Sequence, residues 1–407
     1  LAMSSQRILV RAAKSPFRAA SARETLAENL IGTNSGNLLF STAAVRLLST
    51  RSAEVLPERF NVTPDQADEI NERYDHFVVP LANAFRPEFL EHLERLSATV
   101  ERLKIPVTIM GVGAQAPGEG DRAALKPLDA AVTRLCRAVL ERSESIGVRG
   151  EFTAQYLNDL GFTRVEVIGC PSIFLRDGAP RIEHGTAPLA PGARVAINLT
   201  PEIPGIRELA ARHARTYRRS IYVAQDVRDL RLMLRVPFRA RRADLDEAPQ
   251  VPGDAYLAPS RGRFYLDPRT WIEEFARIDF SFGTRIHGNI AAIVAGRPAF
   301  VLAHDSRTLE LARALDIPHV QVSNVAAVRA EELYDQADYG PLNRNHAARL
   351  ARMTSFLERN GLKHIHQPGE SGAEFDARMR AAALPLAVRP ASTLRAFIGA
   401  LQRRLAR

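Results

Sequence analysis

The sequence contains little cysteine. Only Cys136 and Cys170 occur in 407 residues, and their separation does not match that of a metal-binding pair. This argues against a disulfide framework or a structural zinc site, and it favours a reducing compartment. The sequence also lacks clusters of carboxylates and histidines at ligand spacing, so we expect no metal and no cofactor.

Long apolar runs are missing as well. No stretch of about 18 apolar residues occurs, so we expect no membrane-spanning helix. Near the start, Arg7 and Arg11 flank only a short apolar stretch, which does not match a signal peptide. Together with the scarce cysteines, these features predict a cytoplasmic protein.

Lysine is also scarce, because it occurs only at positions 14, 104, 126 and 363. Arginine therefore supplies nearly all of the 55 basic residues behind the net charge of +9. The arginines are spread along the chain without the interleaved aromatic residues on which bases stack, so we expect no nucleic-acid partner. A small anionic substrate or an anionic membrane surface accounts for the charge equally well.

Strand-like apolar runs alternate with helical patterns along most of the chain, which is typical of α/β domains with parallel sheets. The first region opens with the glycine-rich segment Gly32–Asn37, before an amphipathic helix at 38–48. A segment rich in glycine, proline and charge, 176–192, predicts a linker between two domains. Strands are predicted at 75–80, 107–110, 146–149, 165–168, 194–199, 221–224, 280–282 and 299–303.

The segment Gly283–Asn289 follows a short apolar strand and precedes a predicted helix. Ligands of open α/β sheets bind beyond the carboxyl ends of the strands, and a helix N-terminus favours anions. Arg285 could bind an anion through two parallel hydrogen bonds, and His287 could transfer protons near neutral pH. Gly283 and Gly288 would let backbone and ligand approach closely.

An ordinary helix start, with a solvated Arg285 and a buried His287, is the alternative. The strand and the glycine that precede them favour the anion site. The segment is predicted to open a helix that continues over 290–295, so Arg285 and His287 would stand at its start.

Residues 283–298 read Gly-Thr-Arg-Ile-His-Gly-Asn-Ile-Ala-Ala-Ile-Val-Ala-Gly-Arg-Pro, and His304-Asp305-Ser306-Arg307 follows. This combination resembles the polysaccharide pyruvyl transferase family, which shows Arg-x-His-Gly, a small-residue helix, Gly-x-Pro, and then an aspartate and a basic residue. Ile146–Phe152 is similar to the family's Ser-Val-Arg-Asp-Glu segment, and Val165–Ser172 to its Val-x-Gly-Asp-Pro-Ala segment. The resemblance extends from about residue 30 to about residue 320.

The resemblance implies an α/β fold of two Rossmann-like domains that face a cleft, as in GT-B glycosyltransferases, with a helical C-terminal extension. We place the N-terminal domain at 1–180, on the acceptor side, and the C-terminal domain at 190–345, on the donor side. The extension then covers 346–407. A loop-rich insertion at 239–262 lies outside the family pattern.

The resemblance also implies the transfer of pyruvate from phosphoenolpyruvate to a sugar of a bacterial cell-surface glycan, or of its precursor, as a ketal. Phosphoenolpyruvate would be the donor substrate, and a glycan or lipid-linked sugar the acceptor. Arg285 would hold the donor, His287 would act in catalysis, and Arg149 would lie near the same pocket. Gly150 and Cys170 depart from the pattern, because the family commonly has aspartate at both positions.

Further polar residues are candidates for the substrate site. Asn289 belongs to the motif, His304 and Asp305 are either an orienting pair or part of a plain loop, and Arg307 keeps the family's basic charge. Cys170 is expected to be a small packed residue rather than a nucleophile. Amides at predicted strand ends suit sugar hydroxyls, although such residues are equally common in turns: Asn34, Asn37, Asn83 and Gln115.

Two other functions stay open: a nucleotide-sugar glycosyltransferase of the same build, and a glycan-binding protein without catalytic activity. The basic stretch 394–407 has apolar residues at helical spacing. It predicts either a closing helix packed on the body or peripheral contact with the inner face of the cytoplasmic membrane.

Overall fold

A computed structural model of the chain describes residues 5–118, 120–183, 185, 187–236 and 258–390. Within these ranges helices alternate with strands, and every paired strand runs parallel to its neighbours. The predicted α/β class with parallel sheets and a helical C-terminal region is therefore confirmed. Most of the 239–262 insertion and all of the 394–407 stretch lie outside the described residues.

The N-terminal half, residues 6–174, carries a four-stranded and a two-stranded sheet. Its elements are β1 (Gln6–Ala12), α1 (Ala22–Glu28), α2 (Gly36–Leu48), β2 (Ala53–Arg59), α3 (Ala67–Arg73), β3 (His76–Pro80), α4 (Leu90–Val100), β4 (Val107–Met110), α5 (Asp129–Leu140), β5 (Ile146–Val148), α6 (Glu151–Asp159) and β6 (Val165–Val167). The larger sheet has the order β2-β1-β3-β4, and a bridge between Val112 and Val148 sets β5 beside the chain that leaves β4. The carboxyl ends of β1 to β5 therefore form one continuous edge.

The C-terminal half, residues 195–344, carries a six-stranded sheet. Its elements are β7 (Val195–Asn198), α7 (Ile206–Thr216), β8 (Ile221–Ala224), α8 (Val227–Leu234), β9 (Gly262–Phe264), α9 (Pro268–Phe275), β10 (Phe280–Gly283), α10 (Ile286–Val294), β11 (Ala299–Ala303), α11 (Ser306–Ala314), β12 (His319–Gln321), α12 (Ala330–Gln336) and α13 (Gly340–Arg344). The strand order is β12-β11-β10-β7-β8-β9. The central strands β7, β10 and β11 are buried along their whole length, as expected for a sheet covered on both faces.

Helix α2 differs from the amphipathic helix that the sequence predicts. All of its residues except Asn37 are buried, because one face packs on the first sheet and another contacts α10 and the turn at 171–174. The apolar core around α2 is continuous with that of the second sheet. This helix therefore joins the two halves at the base of the cleft.

The chain passes between the halves twice. Among the described residues, no helix or strand lies between Phe174 and Val195, where the linker is predicted. Two further helices, α14 (His346–Arg359) and α15 (Ala373–Ala381), follow the second sheet. The end of α14 returns to the N-terminal half, where Asn360 accepts hydrogen bonds from Ser143 and Glu144. The domain boundaries near 180, 190 and 345 stay a proposal.

None of the helices in the described ranges has the length and apolar character that crossing a membrane requires.

Candidate functional site

A cavity of about 490 Å³ lies between the carboxyl ends of the two sheets. The first sheet contributes the chain that follows β1, β2 and β3, and the second contributes the chain that follows β8 and β10. Parallel strands place their ligand sites at this edge, so the position matches the prediction. The predicted residues that line the cavity are Arg149, Arg285, His287, Arg307, Asn34, Asn37 and Asn83.

Arg149 directly follows β5, and its backbone N–H donates to the carbonyl of Val112 at 2.8 Å. The residue is only 1% exposed, yet its Nε and Nη2 atoms have no hydrogen-bond partner among the described residues. Burial lowers the pKa of Arg149, while Cys170 and Glu310 oppose that shift. Buried polar groups are normally satisfied, so an orphaned guanidinium at a cavity indicates a site for an anion.

Arg285 stands just before the first turn of α10, and its guanidinium forms an ion pair with Asp226. Burial opposes its charge, but Asp226 and Asp229 outweigh this effect and raise the pKa of Arg285. Asp226 also accepts a hydrogen bond from Asn34 Nδ2 at 3.1 Å. Arg285 is therefore held in place by Asp226 within the C-terminal half, and Asn34 contacts Asp226 from across the cleft.

His287 lies inside the first turn of α10, which begins at Ile286, within the segment predicted to open the helix. Its Nε2 is 3.7 Å from the Cys170 thiol, and its ring packs against Gly36, where any side chain would press on it. Burial and the charges of Arg149, Arg307 and Arg285 lower the pKa of His287 to about 3. The expected pKa near neutrality does not fit this position, because burial and three neighbouring cations favour the neutral imidazole.

Gly283, Gly288 and Asn289 do not face the cavity. A Cβ at Gly283, where φ is +143°, would overlap the backbone of Asn198, and a Cβ at Gly288 would overlap the Asn198 side chain. Asn289 is fully buried, donates to the carbonyl of Gly283 at 3.0 Å and accepts from Ser281 Oγ at 2.9 Å. The predicted close approach of a ligand to the two glycines is wrong, because they make room for Asn198.

His304 and Asp305 also lie behind the cavity wall. Asp305 caps α11 by accepting from Thr308 N at 2.8 Å, and its carboxylate lies 3.1 Å from Arg307 and 3.5 Å from His304. Burial opposes ionisation, but Arg307 and His304 outweigh it and lower the pKa of Asp305. Asp305 thus orients Arg307, which reaches the cavity.

The remaining amides mostly hold loops together. Asn37 donates to the carbonyl of Gly32 at 2.9 Å. With its amide oxygen toward the arginines, Asn83 accepts from Arg86 at 2.8 Å and from Arg307 at 3.1 Å. Gln115 lies behind Asn83, whose side chain it contacts. Asn83 therefore fixes the positions of Arg86 and Arg307, and Gln115 contacts Asn83 from outside the cavity lining.

Sequence reasoning missed Glu310, which is only 5% exposed. Its carboxylate accepts from the backbone N–H of Thr153 at 3.0 Å and from the hydroxyl of Thr153 at 2.8 Å. Burial raises the pKa of Glu310 to about 7, although Arg149 opposes the shift. A Cβ at position 150 would lie 2.9 Å from the Glu310 side chain, so Gly150 leaves the space that this carboxylic acid fills.

Five arginines line the cavity against two carboxylates, and one of these carboxylates is already paired with Arg285. The members of this set that were missed from the sequence include Asp226, which stands at a helix start, and Arg11, whose strand was itself not predicted. The described residues contain no group of three or more side chains suited to hold a metal ion. The basic members are Arg11, Arg86, Arg149, Arg285 and Arg307; the acidic ones are Glu88 and Asp226.

A family model described as polysaccharide pyruvyl transferase matches residues 34–306. A search of curated proteins finds no significant match. Solved structures resemble the chain at low identity. A UDP-N-acetylglucosamine 2-epimerase is 11% identical over 90% of this chain and 98% of its own, with a TM-score of 0.45. An α,α-trehalose-phosphate synthase from Burkholderia vietnamiensis is 13% identical over 93% and 98%, with a TM-score of 0.35.

Proposed function

The chain belongs to the polysaccharide pyruvyl transferase family, and on that premise we propose that it transfers pyruvate from phosphoenolpyruvate to a sugar of a bacterial cell-surface glycan, or of its precursor, as a ketal. The observation that carries this proposal is the orphaned guanidinium of Arg149, at the same cavity as His287 and Arg285. We also propose a cytoplasmic location, where the free buried thiols of Cys136 and Cys170 stay reduced.

The donor requires several cationic partners, because phosphoenolpyruvate carries a phosphate and a carboxylate. Arg149 has free N–H groups, and a charge-assisted hydrogen bond from such a group contributes about 1.5–3 kcal/mol. Arg307 reaches the same cavity from α11. Arg285, held by Asp226, adds positive charge at a fixed position. These groups support binding of a small dianion or trianion.

His287 serves as a proton relay. In its protonated form it gives a proton to C3 of the enol, which becomes a methyl group while C2 gains oxocarbenium character. One sugar hydroxyl then adds to C2, and its proton returns to His287. The second hydroxyl then forms its bond to C2 as the bond from C2 to the phosphate oxygen breaks, and its proton leaves with the phosphate. The products are the ketal and inorganic phosphate. A bound anion would offset the neighbouring arginines and raise the pKa of His287, which eases the first transfer.

A thermal-shift titration tests the donor. Phosphoenolpyruvate should raise the melting temperature in a saturable way, because a ligand that binds only the folded state stabilises it. Incubation with phosphoenolpyruvate and a bacterial glycan fraction should then release inorganic phosphate. A glycosyltransferase would instead be stabilised by sugar nucleotides and not by phosphoenolpyruvate, and that pattern would refute the proposal.

A further inference from the structure

A second buried cation lines the cavity at the other end of the first sheet's edge. Arg11, at the carboxyl end of β1, is 9% exposed, and its Cζ lies 4.1 Å from the centre of the Phe60 ring. Within the described part of the chain, the one hydrogen bond of the Arg11 side chain is a long contact of 3.4 Å to the carbonyl of Pro80. Burial lowers the pKa of Arg11 to about 10, so the group stays charged at neutral pH. No carboxylate forms an ion pair with it among the described residues.

The surroundings of Arg11 are built to hold its guanidinium. Phe60 follows β2, and its ring lies over Gly32, where a Cβ would overlap it. The missing side chain at Gly32, with φ at +55°, therefore makes the space for the ring. Stacking on Phe60 fixes the plane of the Arg11 guanidinium. Asn61 and His92 line the cavity next to this pair.

The position of Arg11 separates it from the proposed donor site. The edge runs from β1 through β3 and β4 to β5, so Arg11 and Arg149 start three strand spacings apart, roughly 14 Å at the backbone. A donor bound at Arg149 leaves the charge of Arg11 uncompensated. Of the two carboxylates in the lining, Asp226 is paired with Arg285 and Glu88 lies 3.9 Å from Arg86.

We propose that Arg11 and Phe60 form a second anion subsite, which binds a phosphoryl group of the acceptor. The acceptor is then a sugar carried on a phosphate or diphosphate ester rather than a free saccharide. This inference rests on the proposed function, because it names the acceptor class for that reaction. Arginine suits the task, since its planar guanidinium donates parallel hydrogen bonds to phosphate oxygens.

Calorimetric titration of the full-length protein with inorganic pyrophosphate, with and without saturating phosphoenolpyruvate, tests the subsite. Pyrophosphate should bind the phosphoenolpyruvate-saturated protein, and R11Q should weaken that binding at least tenfold while changing the affinity for phosphoenolpyruvate less than twofold. R137Q removes the same charge from an exposed position on α5 and should leave both affinities unchanged. Uridine diphosphate and farnesyl diphosphate are titrated in parallel. Tighter binding of the first identifies the carrier as a nucleotide, and tighter binding of the second identifies it as an isoprenoid.

The inference is overturned if pyrophosphate competes with phosphoenolpyruvate, if it does not bind the saturated protein, or if R11Q binds it as the unmodified protein does. F60L keeps the cation and removes the aromatic platform, so a several-fold loss of pyrophosphate affinity is expected there even if R11Q folds poorly. Absence of phosphoenolpyruvate binding, with R11-dependent pyrophosphate binding retained, would refute the donor assignment and leave the anion subsite standing.

Discussion

Arg149 and Arg285 lie at the same cavity in opposite states. Arg285, in the C-terminal half, is paired with Asp226, which Asn34 also contacts. Arg149, in the N-terminal half, has two nitrogen atoms without a partner among the described residues. A paired arginine is already stabilised in the absence of ligand, whereas an orphaned one is stabilised only when an anion arrives. The contrast assigns positioning mainly to Arg285 and anion capture mainly to Arg149.

The largest effect is expected at His287, whose pKa both arginines depress. His287→Ala should lower kcat/KM for pyruvate transfer by about 10³–10⁴, the range for loss of a general acid or base. Phosphate release and circular dichroism measure activity and folding. His319→Ala, on the edge strand β12, serves as the control and should retain activity. Full activity in His287→Ala would remove the histidine from the mechanism.

Arg149→Gln should reduce kcat/KM by about 10²–10³, because a preorganised donor to the substrate anion is lost. The free energy of unfolding should stay the same or rise, since no ion-paired carboxylate loses its partner. Steady-state kinetics and urea unfolding measure the two quantities. A strongly destabilised variant would show that Arg149 has a structural partner and would break the contrast with Arg285.

The buried carboxyl group of Glu310 lies close to Arg149. Its protonation state tests whether Arg149 lacks a charged partner, because an ionised Glu310 would be such a partner. Burial raises its folded pKa to about 7 from 4.5, so the unfolded state holds fewer protons between these values. Stability should therefore fall as pH rises from 4.5 to 7, by up to about 3 kcal/mol. Glu310→Gln should lack this loss when urea unfolding is compared at pH 5 and pH 8. An unchanged pH profile would mean that Glu310 is ionised beside Arg149.

The smallest effect is expected at the paired arginine. Arg285→Gln should cost about 2 kcal/mol of stability, because it leaves Asp226 without its ion pair in a partly buried position. Adding Asp226→Asn should recover part of that loss, and the double-mutant cycle measures the coupling. Additive losses in the double variant would contradict a stabilising pair.

The sequence predicted the mostly apolar strands and missed four in which polar or charged residues interrupt the pattern. Each predicted strand is present within one or two residues of its predicted bounds, because a run of apolar residues marks a buried strand. The missed strands β2, β9 and β12 are sheet edges, and they are short or polar. β1 was missed because Arg7 and Arg11 interrupt its apolar pattern. Arg11, the cation of the second subsite, was therefore missed as well.

The sequence also predicted which loops meet, but not what each residue does there. The motif around Arg285 lies at the cleft with Arg149, Arg307 and three of the predicted amides. In the sequence, Gly283, Gly288 and Asn289 look the same as residues that bind a ligand. In the structure, the two glycines instead make room for Asn198. Contacts with residues some 90 positions away decide between the two roles, and no local pattern encodes such contacts.

The two chain crossings lie side by side. Ile182, in the first crossing, donates to Asn343 Oδ1 at 3.0 Å and accepts from Asn343 Nδ2 at 2.9 Å, just ahead of the second crossing into α14. Because the two connections lie together, we expect any relative motion of the halves to be a rotation about this pair of connections. Such a rotation would change the width of the mouth between Arg149 and Arg285. A substrate held from both sides would then draw the mouth shut and exclude water while the ketal forms.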